Sequence, residues 1–181
     1  MCGGALKINN IEYLDRISNI AKGNIRIALM AGKSSLETGT YENLENVVDI
    51  YNVFYSRVFE TLDYKKRILI GLIAFLDRVF IDSEKFISVV KRYNISNEEL
   101  HDILTELSSK EIVDIYKNRV VKFDNQKLSD YILYYVFIKE RWLSLSEISM
   151  EFFENYFERI CYGFSTLYSL FQSEEMVSYL R

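Results

Sequence analysis

Ile112-Val113-Asp114-Ile115-Tyr116-Lys117-Asn118-Arg119-Val120-Val121-Lys122-Phe123 is the stretch of this chain that reads as β-structure. Two short β-branched runs, Ile112–Tyr116 and Val120–Phe123, flank the polar trio Lys117-Asn118-Arg119, and that spacing predicts a hairpin. Around it the chain reads as helix. It has no proline and only 7 glycines, so little in it breaks a helical ladder.

Working back from the hairpin, three helices come into view. Asp63 is placed to cap an apolar helix through Ile68, Leu69, Leu72, Ile73 and Leu76. Asp82 or Ser83 caps a second, carrying Phe86, Ile87, Val89 and Val90, which Asn94 closes. Ser96 caps a third, with Leu100, Ile103, Leu104 and Leu107, and Glu99 three residues on completes a capping box. Three helices followed by a hairpin is the order of a winged helix-turn-helix, here over residues 63–123. Ile68–Phe80 is the longest apolar run; interrupted by Asp77 and Arg78, it reads as a buried helix and is too short to span a membrane.

Residues 124–181 continue in helices. Leu128, Tyr131, Ile132, Leu133, Tyr135 and Val136 belong to one; from Ser146 onward there are one or two more, a possible start of a helical repeat region. Residues 1–62 form a helical unit of their own. Asn9 or Asn10 caps a helix from Ile11 to Lys22, and a shorter helix follows Gly23 to about Gly32. Lys33–Thr40, rich in Ser, Thr and Gly, reads as a loop. A long helix, Tyr41–Leu62, then carries an apolar stripe through Leu44, Val47, Val48, Tyr51, Phe54, Tyr55, Val58 and Phe59. The expected fold class is mainly α: a helical bundle, a winged helix with its β-hairpin, and C-terminal helices.

Composition narrows the function classes. At 181 residues and a net charge of -4, the chain can bury a core and has no general pull toward nucleic acid. Cys2 and Cys161 form no metal-ligand spacing and no disulfide framework, which points to a reducing cytoplasm. His101 is the only histidine, so a histidine-based dyad or zinc pair is excluded. No catalytic constellation and no metal site emerges.

Gly32-Lys33-Ser34 invites a phosphate-loop reading, but Ile27 stands where a Walker A motif needs its first glycine. The third helix of the winged-helix segment carries Glu98, Glu99, Asp102 and Glu106, which phosphates would repel. Lys117 and Arg119 on the hairpin are the candidate DNA contacts, and two charges supply little affinity. Fourteen tyrosines and twelve phenylalanines are a heavy aromatic load. Tyr131–Phe137 and Phe152, Phe153, Tyr156 and Phe157 read as core, with a surplus that suggests an exposed docking patch.

One turn remains, Gly23-Asn24-Ile25-Arg26. It places Arg26 in the first turn of a helix, where its charge opposes the helix dipole. Such a cation is either an ordinary solvated helix corner or is kept to meet an anion. The turn resembles the sensor-2 region in the lid of STAND and AAA+ family P-loop ATPases. Asp130-Tyr131, entered from Val121–Leu128, resembles the pair that closes the winged helix in bacterial STAND-like members.

The resemblance covers residues 8–140. It implies a lid with Gly23 allowing the turn and Arg26 over the nucleotide phosphates, then a winged helix passing nucleotide state to a helical sensor or effector. Ile25 stands where the family often has proline. No Walker A, Walker B or sensor-1 strand is present, so the chain would be a fragment without ATPase activity of its own. ATP and Mg would belong to the full-length parent. Its partners would be the missing ATPase core or another protein, met through the aromatic helices, with an oligomer possible. A stand-alone winged-helix adaptor and a DNA-binding regulator are the alternatives.

Overall fold

The structure, a computed structural model, describes residues 11–21, 25–38 and 47–171. The chain divides into two compact units, 1–60 and 61–181.

The first unit holds three helices among its described residues: α1 (Ile11–Ala21), α2 (Ile25–Thr38) and α3 (Val47–Glu60). Each packs on the next in sequence. Their buried side chains fall at the helical spacings of three and four, as Ile17, Ile20 and Ala21 on α1, Ile27, Ala28 and Ala31 on α2, and Ile50, Tyr51 and Phe59 on α3. Lys33–Thr38, expected as loop, is instead the last part of α2. Serine and threonine are poor but permissible helix formers, and no proline or described glycine turn stops the ladder. Gly32-Lys33-Ser34 is therefore helical, which leaves no loop there to wrap a phosphate. Gly23 and Asn24 lie outside the described residues, as does Tyr41–Asn46 of the expected long helix.

The second unit is built around α4 (Tyr64–Leu76), buried on every side from Ile68 to Leu76. A helix apolar all round can only be central. Asp63 caps it, its carboxylate accepting from the Lys66 N–H at 3.0 Å. The helix stops at Asp77, whose φ of 64° and ψ of -56° turn the chain away. A strand follows, β1 (Arg78–Phe80). The expectation of helix through Phe80 is thus corrected: the last three residues are strand.

Ser83 caps α5 (Glu84–Arg92), and Ser96 caps α6 (Asn97–Ser109). The Ser96 hydroxyl accepts from Glu99 N–H at 3.2 Å while Glu99 accepts from Ser96 N–H at 3.0 Å, so the capping box is complete. The hairpin follows as β2 (Val113–Tyr116) and β3 (Val120–Phe123). At its tip Lys117 and Asn118 both have positive φ, and Arg119 N–H donates to the Tyr116 carbonyl at 3.0 Å. All pairing is antiparallel in the order β1-β3-β2, with Val79 opposite Val121 and Val121 opposite Ile115.

Asn125 caps α7 (Gln126–Tyr134), which runs into one π-helical segment, Tyr135–Lys139. Ser144 then caps α8 (Leu145–Leu170), broken at Tyr156 by a non-helical φ of -133°. α7, the π segment and α8 all pack on α4, so residues 61–123 and the helices after them share one core. Phe75 meets Phe137 with ring centres 5.3 Å apart, and Tyr134 stacks on Phe171 at 4.5 Å.

Candidate functional site

The residues singled out in the sequence are spread over both units. Arg26 is the second residue of α2, in its first turn, and its side chain lies outside what the structure describes. Gly23 falls outside the described residues altogether. The nucleotide contacts that the resemblance implies therefore rest on sequence alone.

On the hairpin, Lys117 and Arg119 part company. Arg119 donates from Nε and Nη2 to Asp82 Oδ2 at 3.1 and 2.9 Å, so much of its charge is spent inside the molecule. Lys117 stands at the tip with no carboxylate within ion-pair distance among the described residues.

The exposed side of α6 is acidic, and its acids draw in the nearest lysines. Lys65 Nζ lies 2.6 Å from Glu99, and Lys66 Nζ 2.7 Å from Glu106. Lys110 also reaches Glu106 at 2.7 Å. The hydrogen bond from Lys65, then the Ser96 N–H, holds the Glu99 carboxyl below its ordinary value. Lys110 and then Lys66 do the same for Glu106. The Lys65 and Lys66 pairs fasten α6 to α4, and Glu98 and Asp102 face solvent.

Asp130-Tyr131 is internal. Asp130 is 1% exposed and accepts from Gln126 Nε2 and Lys127 Nζ, each at 3.0 Å. Burial pushes the Tyr131 hydroxyl far above its ordinary pKa. The pair works as a core fixture holding the start of α7.

The aromatic surplus divides cleanly. Tyr131, Tyr134 and Phe137 are core, as is Phe152. Phe153 and Phe157 are each 53% exposed, Met150 is 80% exposed and Tyr168 60%. Phe153 and Phe157 meet edge-on at 5.2 Å, forming a ridge. Exposed Cys161 and half-exposed Phe164 continue the series toward Tyr168. The spacing 150-153-157-161-164-168 runs in steps of three and four, so one apolar seam follows α8 on both sides of the Tyr156 break. Acids border its first half, with Glu147, Glu154 and Glu158 exposed. Met150 and Tyr168 were missed in the sequence, although the spacing that includes them was there to be read.

Among the described residues, no three of His, Cys, Asp and Glu gather closely enough to hold a metal ion. No described helix is long and apolar enough to cross a membrane. No family model matches the chain, and neither a curated protein nor a solved structure matches it.

Proposed function

We propose that residues 63–123 form a winged helix-turn-helix, and that the chain is the non-catalytic regulatory portion of a STAND/AAA+-like ATPase that works by protein contact. The element order α4-β1-α5-α6-β2-β3 and strand order β1-β3-β2 support the winged-helix reading. The observation that carries the protein-contact reading is the solvent-facing seam of Met150, Phe153 and Phe157 on α8. Large rings held in water along one helix face mark a surface kept for another apolar surface. Nucleic acid is the poorer partner, because α6 sits where a recognition helix would enter the groove and it presents carboxylates. In this reading Arg26, with Gly23 forming its turn, serves as the lid's contact to nucleotide bound by a core domain beyond these residues.

The test uses the parent ATPase. Adding ATP should alter hydrogen-exchange protection along residues 145–170, and the Phe153→Ser/Phe157→Ser variant should lose that response while keeping its fold. An ATP response that persists unchanged in the variant removes the seam from the coupling. Arg26→Ala should weaken nucleotide binding in the same protein; unchanged affinity and turnover end the lid reading. Saturable binding of mixed-sequence duplex at physiological salt, lost in Lys117→Ala/Arg119→Ala, would favour the DNA-binding alternative instead.

A further inference from the structure

Where α4 gives way to β1, the second unit holds a cavity of about 540 Å³. Its walls come from three places: the turn at Asp77–Arg78, the start of α5, and the middle of α8. Buried Leu76 and Phe152 and half-exposed Phe80 give it an apolar side. Arg78, Lys85 and Arg159 bring three cations to it, against the single carboxylate of Asp77.

Two of the cations are held in place. Arg159 lies over the Tyr162 ring with its guanidinium carbon 4.6 Å from the ring centre, and Nη2 is 3.3 Å from Asp77 Oδ1. Its Nε is buried with no hydrogen-bond partner. Lys85 Nζ sits 5.9 Å from the Phe152 ring centre. Stacking positions Lys85 without neutralising it, so its donors stay available to an anion, whereas an anion must share Arg159 with Asp77.

The backbone supplies an independent sign. Two residues that line the cavity, Asp77 at the end of α4 and Tyr156 within α8, leave helical geometry. Asp77 has positive φ with negative ψ, a combination costing a non-glycine residue about 1–3 kcal/mol and found disproportionately at ligand sites. The volume lies within the range of small-molecule sites, about 300–1,000 Å³.

We infer that this cavity binds a small amphipathic anion, a carboxylate or phosphate carried on an aromatic or short aliphatic body. The body lies against Phe80 and Phe152, and the anionic group meets Arg78, Lys85 and Arg159. Asp77 pairs with Arg159 at 3.3 Å and with Arg78 at 3.9 Å, and competes with the ligand for both.

The competition makes the test sharp. Amide resonances of the full chain are followed by NMR during titration with phenyl phosphate, benzoate, inorganic phosphate or phenol. Phenyl phosphate or benzoate should saturably shift residues 76–85 and 152–159. Inorganic phosphate and phenol, each offering half of the chemistry, should bind at least about tenfold more weakly. Arg78→Ala/Lys85→Ala should weaken binding by about tenfold, whereas Asp77→Asn should tighten it by about threefold or more, since it frees Arg159. Asparagine tolerates positive φ, and the dispersion of the spectrum reports whether each variant is folded. The site is overturned by a failure of both amphipathic anions to saturate. It is equally overturned if inorganic phosphate matches them, or if Asp77→Asn leaves or weakens the affinity.

Discussion

Asp130 is where one side chain decides the most. A carboxylate 1% exposed survives only because Lys127 and Gln126 meet both of its oxygens. Removing one partner of a buried ion pair leaves an uncompensated charge, a loss of about 3–5 kcal/mol. Lys127→Ala should therefore destabilise the second unit by about 3 kcal/mol in urea unfolding, and Asp130→Asn, which removes the charge itself, by clearly less. If the asparagine variant is the less stable of the two, charge compensation is not what this pair provides. The sequence marked Asp130-Tyr131 by its resemblance to the pair in STAND-like members. It gave no sign that the aspartate is internal, since its lysine partner at i-3 reads as an ordinary surface pair.

Among elements, α4 meets the π segment closely at Gly71. A Cβ added at Gly71 would lie 2.6 Å from Val136 Cγ1 and 3.1 Å from Leu143 Cδ1, both in fully buried residues. Gly71→Ala gains about 1 kcal/mol of helix propensity, but overpacking of this kind costs about 1–3 kcal/mol. The net expected change is a loss of up to about 2 kcal/mol, partly recovered by adding Val136→Ala. A Gly71→Ala protein as stable as the parent by chemical denaturation would show that the crossing yields freely.

Legibility among the elements followed locality. Asp63, Ser83 and Ser96 with Glu99 act within one helical turn of themselves; Asp63 and Ser96 cap as the residues placed them, and of the pair Asp82 and Ser83 it is Ser83 that caps. β1 was hidden because three residues are too few to show alternation, and what pairs them lies on β3, over forty positions away. The end of α2 was hidden for the opposite reason. Its Ser-rich tail carries loop signals that the helical ladder outweighs. The seam on α8 was half legible: the sequence showed a surplus of rings, and only packing could sort Phe152 from Phe153.

Across the second unit as a whole, the charges joining α6 to α4 predict how stability depends on pH. Glu99 and Glu106 titrate below the ordinary 4.5 in the folded protein, chiefly because Lys65 and Lys110 donate to them. Their contribution is present above that ordinary value and is lost as pH falls through the lowered one. Lys66 moves the other way, raised above 10.5 by its bond to Glu106 against the opposing effect of burial. Its contribution holds below 10.5 and disappears as pH climbs through the raised value. Melting temperature should thus be level through neutral pH and decline at both ends. Glu106→Gln should make both declines shallower, by removing one acid-side group and the partner that raises Lys66. Superimposable melting profiles for parent and variant would mean that these pairs do not fasten α6.

The strand order carries a consequence for how this unit assembles. β3 is the middle strand, yet it is the last of the three to leave the ribosome. β1 must wait through α5, α6 and β2, some forty residues, before any partner for its backbone exists. The sheet therefore cannot grow outward from its first strand: β1 gains its partner only once Val120–Lys122 has been made. A chain cut after Tyr116 would keep α4, α5 and α6 but leave the backbone of Arg78–Phe80 unpaired, an open edge offered to any neighbouring strand.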